Sequence, residues 1–321
     1  MFNKKLILFL NKILGDYKKK SKGNVAFKCP FCDITKGKKK LEIHSETHLW
    51  GCWVCKAGGK SLYSLVRRMG LGSEYYSELN KLIPNKKYRF LQEDQRVESK
   101  TKRKLVSLPK EYTPLWKYNN SRIYSLARDY LLNTRKITEI DIYRHRLGYC
   151  SDGEYDGMII IPNYDSNFKL NYFTTRRFFG NPNKKFLNPD LDRNIVGFEN
   201  LINWDMPIII TESALDAMTI RNNASPMYGS GISKELKRNI FLKGCNDIVL
   251  CMDSEVRALN KAIKYAEMFL GYDLNVNFTM LPKGSDPNEL GHEKVWNYIL
   301  NSENLTEQSI FKLKMKVNLL K

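Results

Sequence analysis

The sequence has no apolar run approaching the ~18 residues that a membrane-spanning helix requires, which excludes a helical membrane anchor as its organising feature. Its cysteines number seven, an odd count. Four lie in two Cys-x-x-Cys pairs, and Cys150, Cys245 and Cys251 are scattered among apolar residues. That does not fit the disulfide framework of a secreted domain, so a reducing cytoplasm is expected. No small-residue cleavage site follows Met1–Leu14, whose Lys4, Lys5 and Lys12 flank Leu6–Leu10; a short amphipathic helix is expected there, not a signal peptide. Internal repeats and low-complexity blocks are absent. Acidic residues are scarce in the first third: residues 1–110 hold 26 Lys+Arg against 9 Asp+Glu, whereas residues 111–321 hold 27 against 25. The net charge of +19 therefore sits almost wholly in one segment. A Lys-rich composition of the kind AT-rich genomes encode explains some of the charge but not its asymmetry, which points to a polyanion such as a nucleic-acid backbone.

At 321 residues and 42% apolar content the chain has room for two or three ordered domains. Residues 1–70 read as one unit, with a basic start, the cysteine pairs and a helix around Ser61–Val66. Residues 71–110 are polar and read as a short helix followed by a tether. Residues 111–203 carry two helices (Ile123–Leu132, Ile137–Tyr143) and two strands (Gly157–Pro162, Leu170–Phe179) joined by a turn at Asp165-Ser166-Asn167. Residues 204–295 alternate all-apolar strands (Pro207–Thr211, Asp247–Met252, Val276–Phe278) with helices (Ala214–Arg221, Glu255–Leu270), the pattern of a parallel sheet covered on both faces. Residues 296–321 read as a short helical tail. The fold class expected is multi-domain α/β, a small β zinc ribbon followed by a mixed α+β part and a parallel-sheet part.

Cys29-Pro30-Phe31-Cys32 and Cys52-Trp53-Val54-Cys55 are separated by 19 residues. Each short loop lets two thiolates grip one edge of a tetrahedron, and the spacing is that of a four-cysteine structural zinc site with no open coordination position. His44 and His48 lie between the pairs and are expected at the surface. Phe27, Phe31, Trp50 and Trp53 interleave with Lys28, Lys36, Lys38, Lys39 and Lys40. The mixture suits stacking on unpaired bases beside phosphate contacts, with Trp50 and Trp53 as candidates; equally, half of these rings can form the ribbon's own core.

Three acidic motifs follow apolar strands: Glu212-Ser213-Ala214-Leu215-Asp216, Asp253-Ser254-Glu255 and Asp286-Pro287-Asn288. In a parallel sheet the carboxyl ends of the strands share one edge, where ligands bind. Glu212, Asp253, Glu255, Asp216 and Asp286 are therefore expected to converge. Such acids repel unless a divalent cation neutralises them, and oxygen-rich sites of this kind suit Mg²⁺ or Mn²⁺, two or more ions if the set is used in full. Taken singly, Glu212 or Asp253 is also a plausible helix-capping acid; the three junctions together favour the metal site.

The order of these motifs resembles the TOPRIM fold of bacterial-type primases, topoisomerases and some nucleases. With the zinc ribbon ahead of it, the chain from about Phe27 to Leu290 resembles DnaG-type DNA primases, and in size and four-cysteine ribbon it looks like the stand-alone phage primases of the T-even type. Tyr130–Ile137 with Arg146–Tyr149, Asp156–Pro162, Tyr172–Arg176 and Lys185-Phe186-Leu187-Asn188 resemble segments of the polymerase core. The resemblance implies that Arg176 and Lys185, with Arg177 and Lys184 beside them, bind template or nucleotide. It implies catalysis by Glu212, Asp253 and Glu255, with single-stranded DNA, ribonucleoside triphosphates and a replicative hexameric helicase as partners, in the cytoplasm of a bacterial host if phage-encoded. The chain departs from the family in four places. Ser213 replaces a glycine, Glu255 replaces an aspartate, and Cys32 stands where bacterial relatives carry a histidine. Asn288 replaces an acid, which removes a charge where a second-metal ligand is implied. The expected function is primer synthesis by a primase-type, DNA-directed RNA polymerase. The alternatives are a TOPRIM nuclease and a non-enzymatic zinc-ribbon protein that binds single-stranded DNA in recombination.

Overall fold

A computed structural model describes residues 4–32, 38–84, 106–180, 184–229 and 231–318. The chain divides into two compact units, a first one up to Lys102 that also takes in Arg238–Asn246, and a second one comprising the rest.

In the first unit, α1 (Lys4–Leu14) buries Leu6, Phe9 and Leu10 at helical spacing and turns its lysines outward, as its amphipathic pattern dictates. An antiparallel sheet follows in the order β1 (Lys18–Lys19), β2 (Val25–Phe27), β3 (Leu41–Ile43), β4 (Trp50–Cys52), β5 (Gly58–Gly59). Leu41 and Ile43 of β3 point inward on either side of half-exposed Glu42, the period of a half-buried strand. Helix α2 (Leu62–Arg68) starts at Ser61, whose hydroxyl accepts from the Ser64 amide at 3.3 Å. Helix α3 (Ser73–Leu82) buries Tyr76 and Leu79, and Tyr63 of α2 reaches Asn80 Oδ1 at 2.6 Å. Helix α3, past the expected boundary at residue 70, packs on α1 and α2 within this unit. Residues 85–105, most of the expected tether, lie outside the described residues.

The second unit holds two sheets. The first is antiparallel, in the order β6 (Thr113–Pro114), β7 (Gly148–Cys150), β8 (Met158–Tyr164), β9 (Leu170–Arg177). Between β6 and β7 run α4 (Arg122–Asp129), a π turn at Tyr130–Thr134, and α5 (Glu139–Arg144). Asp165 Oδ1 accepts from the amides of Asn167 and Lys169, both at 2.9 Å, which makes the expected turn between β8 and β9.

The second sheet is built from β10 (Ile208–Thr211), α6 (Ala214–Ile220), β11 (Ala224–Pro226), α7 (Lys234–Leu242), β12 (Asp247–Leu250), α8 (Val256–Leu270) and β13 (Asn275–Phe278). After these come α9 (Pro287–Leu290), α10 (His292–Leu300), β14 (Glu303–Asn304) and α11 (Glu307–Asn318). Its strand order is β11-β10-β12-β13-β14, parallel except for β14. The Ile208–Thr211 run is buried throughout, as a strand covered on both faces must be. Two elements depart from the sequence reading. Strand β11 ends in Pro226, which is tolerated because β11 is an edge. The expected tail boundary at 295 falls inside α10, and the residues after it supply the antiparallel edge β14 and a helix, α11, packed on α8.

One apolar cluster joins the two sheets and includes Leu115, Tyr124, Ile159, Ile209, Val249 and Val295, while a second, of Cys150, Met158, Ile160 and Phe173, lies on the other face of β8. The expected subdomains 111–203 and 204–295 therefore share their apolar interior. A buried ion pair also joins them. Asp141, 1% exposed, closes the capping box of α5 with Thr138 and accepts from Arg221 Nη2 at 3.1 Å at the end of α6. No helix among the described residues is long and apolar enough to cross a membrane.

Asp141→Ala opens the capping box of α5 and strands the Arg221 guanidinium. It is expected to cost about 3 kcal/mol in urea unfolding, and a loss under about 1 kcal/mol would contradict this role.

Candidate functional site

Four thiols in the first unit meet at the ends of the ribbon's loops. Cys29 Sγ lies 3.8 Å from Cys55 Sγ, Cys32 Sγ lies 3.9 Å from Cys52 Sγ, and all four sulfurs fall within 4.8 Å of one another. A tetrahedral ion with ~2.3 Å bonds to sulfur needs edges of ~3.8 Å, so the geometry is that of a four-cysteine zinc-binding site. The amides of Phe31 and Val54 donate to Cys29 Sγ and Cys52 Sγ, each at 3.4 Å. Burial pushes the Cys29 thiol up to about 12. Burial acts on Cys52 in the same direction, but the amides of Cys55 and Val54 outweigh it and bring this thiol down to about 7.

The aromatics of the ribbon divide in two. Trp50, expected as a stacking platform, is 5% exposed and its indole donates to Ser61 O and Ser64 Oγ, both at 3.0 Å. It is core, packed beside Phe31 at a ring separation of 5.7 Å, and is not available to a base. Trp53 is 65% exposed. Lys36 lies outside the described residues, whereas Lys38 and Lys40 are exposed. His44 stays at the surface, its Nδ1 engaged by the turn at Thr47.

In the second unit, residues 185–188 are pinned along β9. The Arg177 amide donates to Lys185 O at 3.0 Å, the Leu187 amide to Thr175 Oγ1 at 2.8 Å, and the Thr175 amide to Asn188 Oδ1 at 3.0 Å. Arg177, expected as a neighbouring binding candidate, donates from Nε to Lys184 O and from Nη1 to Asp156 O and Phe179 O at 2.9–3.2 Å. Lys184 and Lys185 are exposed. Arg176, on the opposite face of the strand, sits 4.9 Å above the Phe186 ring and donates from Nε to Tyr130 Oη at 3.0 Å.

Tyr130 and Arg135, which the sequence reading did not single out, meet Arg176 here. Arg135 Nε donates to the same Tyr130 oxygen at 2.8 Å. Both lie in the Tyr130–Ile137 motif, so the signal was there. Two guanidinium nitrogens sharing one oxygen lie within about 6 Å, where the charges repel by roughly 3 kcal/mol at an effective dielectric constant near 20. Among the described residues neither arginine has a carboxylate partner.

The acidic residues gather at the carboxyl ends of β10 and β12 and in the loop after β13. Glu212 directly follows β10, and Asp253 stands three residues past the end of β12. The loop carrying Asp253 and Glu255 is fastened to the one carrying Asp286 by the Ser254 and Ser285 amides, the first to Ser285 O at 3.2 Å and the second to Ser254 Oγ at 3.0 Å. Asp253 is pushed up to about 8, by burial first and then by the charges of Asp216, Glu212, Asp286 and Glu255. The other four expected acids thus all act on the Asp253 carboxyl group. Asp253 Oδ1 and Glu212 Oε1 are buried without a hydrogen-bond partner, and Lys261 Nζ stands 3.5 Å from the latter. The Asp253 oxygen without a hydrogen-bond partner, in a mutually repelling set of acids, fits a divalent cation. The acids stay more widely spaced than the thiols: among the described residues only the four cysteines bring three or more ligand atoms all within 4.8 Å.

Asp216 lies beneath this cluster. Its Oδ2 accepts from Ser213 N at 3.1 Å and Ser213 Oγ at 2.5 Å, and its Oδ1 from the Asn288 amide at 3.3 Å. Burial, then the charge of Asp286, pushes it up to about 7. Ser213, where the resemblance leads one to expect a glycine, has a φ of −120° that any residue adopts, and its hydroxyl caps α6. Glu255 is exposed at the start of α8, and Asp286 caps α9 through the Glu289 amide at 2.7 Å.

No protein-family model matches the chain, and no curated protein matches it. Among solved structures, it resembles the zinc-binding and RNA polymerase domains of the Aquifex aeolicus primase at 16% identity, covering 94% of this chain and 84% of that one with a TM-score of 0.50. The chain has a primase fold. Other similar structures are the E. coli primase catalytic core (17% identity, 58% and 75% covered, TM-score 0.48) and the RNA polymerase domain of Mycobacterium tuberculosis primase DnaG (16%, 57% and 78%, TM-score 0.48). The fold assignment rests on the Aquifex structure.

Within the primase fold, Asn288 is the departure with the clearest physical account. It is 3% exposed, and its Nδ2 donates to Arg135 O at 2.7 Å and Thr219 Oγ1 at 2.9 Å. Its side chain braces Arg135 and does not face the acidic cluster as a charge-deficient ligand. A carboxylate could make neither donation and would sit buried beside Asp216. Asn288→Asp is therefore expected to lose about 2 kcal/mol of stability in urea unfolding, after partial compensation by Arg135; unchanged stability would contradict the bracing role.

Proposed function

We propose that this chain is a DNA primase, joining ribonucleoside triphosphates into short RNA primers on single-stranded DNA by metal-dependent nucleotidyl transfer. The observation that carries the reading is the placement of Glu212, Asp253 and Asp286 on the loops that follow parallel strands β10, β12 and β13, with the last two loops tied together through Ser254 and Ser285. The primase fold and the concentration of positive charge in the zinc-bearing third support it.

Glu212, Asp253, Glu255 and Asp286 would hold Mg²⁺ or Mn²⁺, with Asp216 as the brace beneath them. Bound divalent ions supply charge stabilisation at the α-phosphate and make the attacking 3′-hydroxyl more acidic. Glu212, directly after β10 and ion-paired with Lys261 at 3.5 Å, would accept the proton of that hydroxyl. Arg176 and Lys185 offer cationic contacts to nucleotide or template phosphates. Exposed Trp53, with Lys38 and Lys40, offers a stacking face and backbone contacts for an unpaired template strand, while the zinc holds the ribbon's shape. A replicative hexameric helicase is the further partner this function calls for.

Asp253→Asn removes one charge and almost no volume. With single-stranded DNA, labelled ribonucleotides and Mg²⁺, its primer synthesis should fall at least about 100-fold while its affinity for the DNA stays within about twofold of the parent. Undiminished synthesis would overturn the assignment.

A further inference from the structure

Tyr130 opens the π turn, and the Arg135 amide closes it by donating to Tyr130 O at 2.9 Å. In an α-helix of 3.6 residues per turn, positions i and i+5 face apart; the wider π turn brings them back to one side. The irregularity has a visible consequence, because the Arg135 guanidinium folds over the Tyr130 ring, its Cζ 5.5 Å from the centroid, and meets the phenolic oxygen. Arg176 reaches that oxygen from β9. Both arginines are anchored through Nε, which leaves their terminal nitrogens to act elsewhere. Arg135 Nη1 makes only a long contact, 3.4 Å, to Asn288 Oδ1. Two cations are thus held side by side on a neutral oxygen with no carboxylate between them. Such an arrangement is paid for only when an anion with several oxygens enters, since planar guanidinium forks bind phosphate oxygens in pairs.

The location identifies the anion. A chain of contacts runs from Arg176 through Tyr130 and Arg135 to Asn288, and the Asn288 amide donates to Asp216 Oδ1 under the acidic cluster. We propose that Tyr130 is a positioning residue for the incoming ribonucleoside triphosphate: its hydroxyl sets the spacing of Arg135 and Arg176 so that both guanidiniums grip one triphosphate. The identity of the ligand rests on the primer-synthesis reading; the hydroxyl's hold on the two arginines does not.

Tyr130→Phe in the full-length chain deletes the shared acceptor and keeps the ring. The expected result is a rise of about tenfold in KM for ribonucleoside triphosphates and in the Kd of a fluorescent ATP analogue measured without template. The Kd for single-stranded DNA should stay within about twofold, and the melting temperature should not change. Arg176→Lys keeps the charge but not the Nε anchor, and should raise the same constants. The double variant should be no worse than the more impaired single one, because both changes break the same hold. An unchanged nucleotide Kd in Tyr130→Phe, a loss of DNA affinity in place of nucleotide affinity, or full additivity in the double variant would overturn the proposal. If Tyr130→Phe does not fold, a nucleotide Kd unchanged by Arg176→Lys overturns it. A parent chain that binds the analogue but makes no RNA would defeat the primer-synthesis reading and leave the role of Tyr130 to be judged on the binding data.

Discussion

The second unit is organised around an electrostatic conflict: Asp253 must occupy a partly buried position within reach of four other acids. Placing like charges together works against folding, so the surrounding structure has to hold them there. Parallel pairing of β10 with β12 and of β12 with β13 brings the strand ends level. Ser254 and Ser285 fasten two of the acidic loops to each other, and Ser213 fixes Asp216 by capping α6. The chain spends ordinary turn and capping chemistry to keep a repulsive cluster in one place, a combination expected at functional sites and not in a region built for stability alone.

The same unit carries a basic counterpart. Arg135 and Arg176 meet at Tyr130, and Asn288 links that pair to Asp216, so cationic and anionic groups are parts of one hydrogen-bonded scaffold. The shared apolar core beneath them, running from Leu115 to Ile299, keeps the two sheets from acting as independent pieces. In the first unit the thiols perform the opposite kind of assembly. Their sulfurs already stand at tetrahedral spacing, with Trp50 and Phe31 packed behind them.

Much of this was legible in the sequence because it depends on short-range patterns. The cysteine spacing gave the ribbon, all-apolar runs such as Ile208-Ile209-Ile210 gave the parallel strands, and acids at strand ends gave the cluster. What escaped depends on contacts between residues far apart in sequence. Trp50 read as a stacking platform until Ser61 and Ser64 took its indole; Arg177 read as a phosphate ligand until three backbone carbonyls took its guanidinium. Asn288 read as a missing charge, although its amide makes donations that an acid could not. Strands as short as Ala224–Pro226 and Glu303–Asn304 carry too few residues for a period to declare itself.

The central claim is that the acids around Asp253 form a cation site, and Mn²⁺ binding to the intact zinc-loaded chain, followed by electron paramagnetic resonance, tests it most directly. The account predicts saturable binding that disappears when Glu212 and Asp253 are both replaced by their amides, with zinc content unchanged. Saturable binding that survives the double replacement, or none in the parent chain, would contradict it.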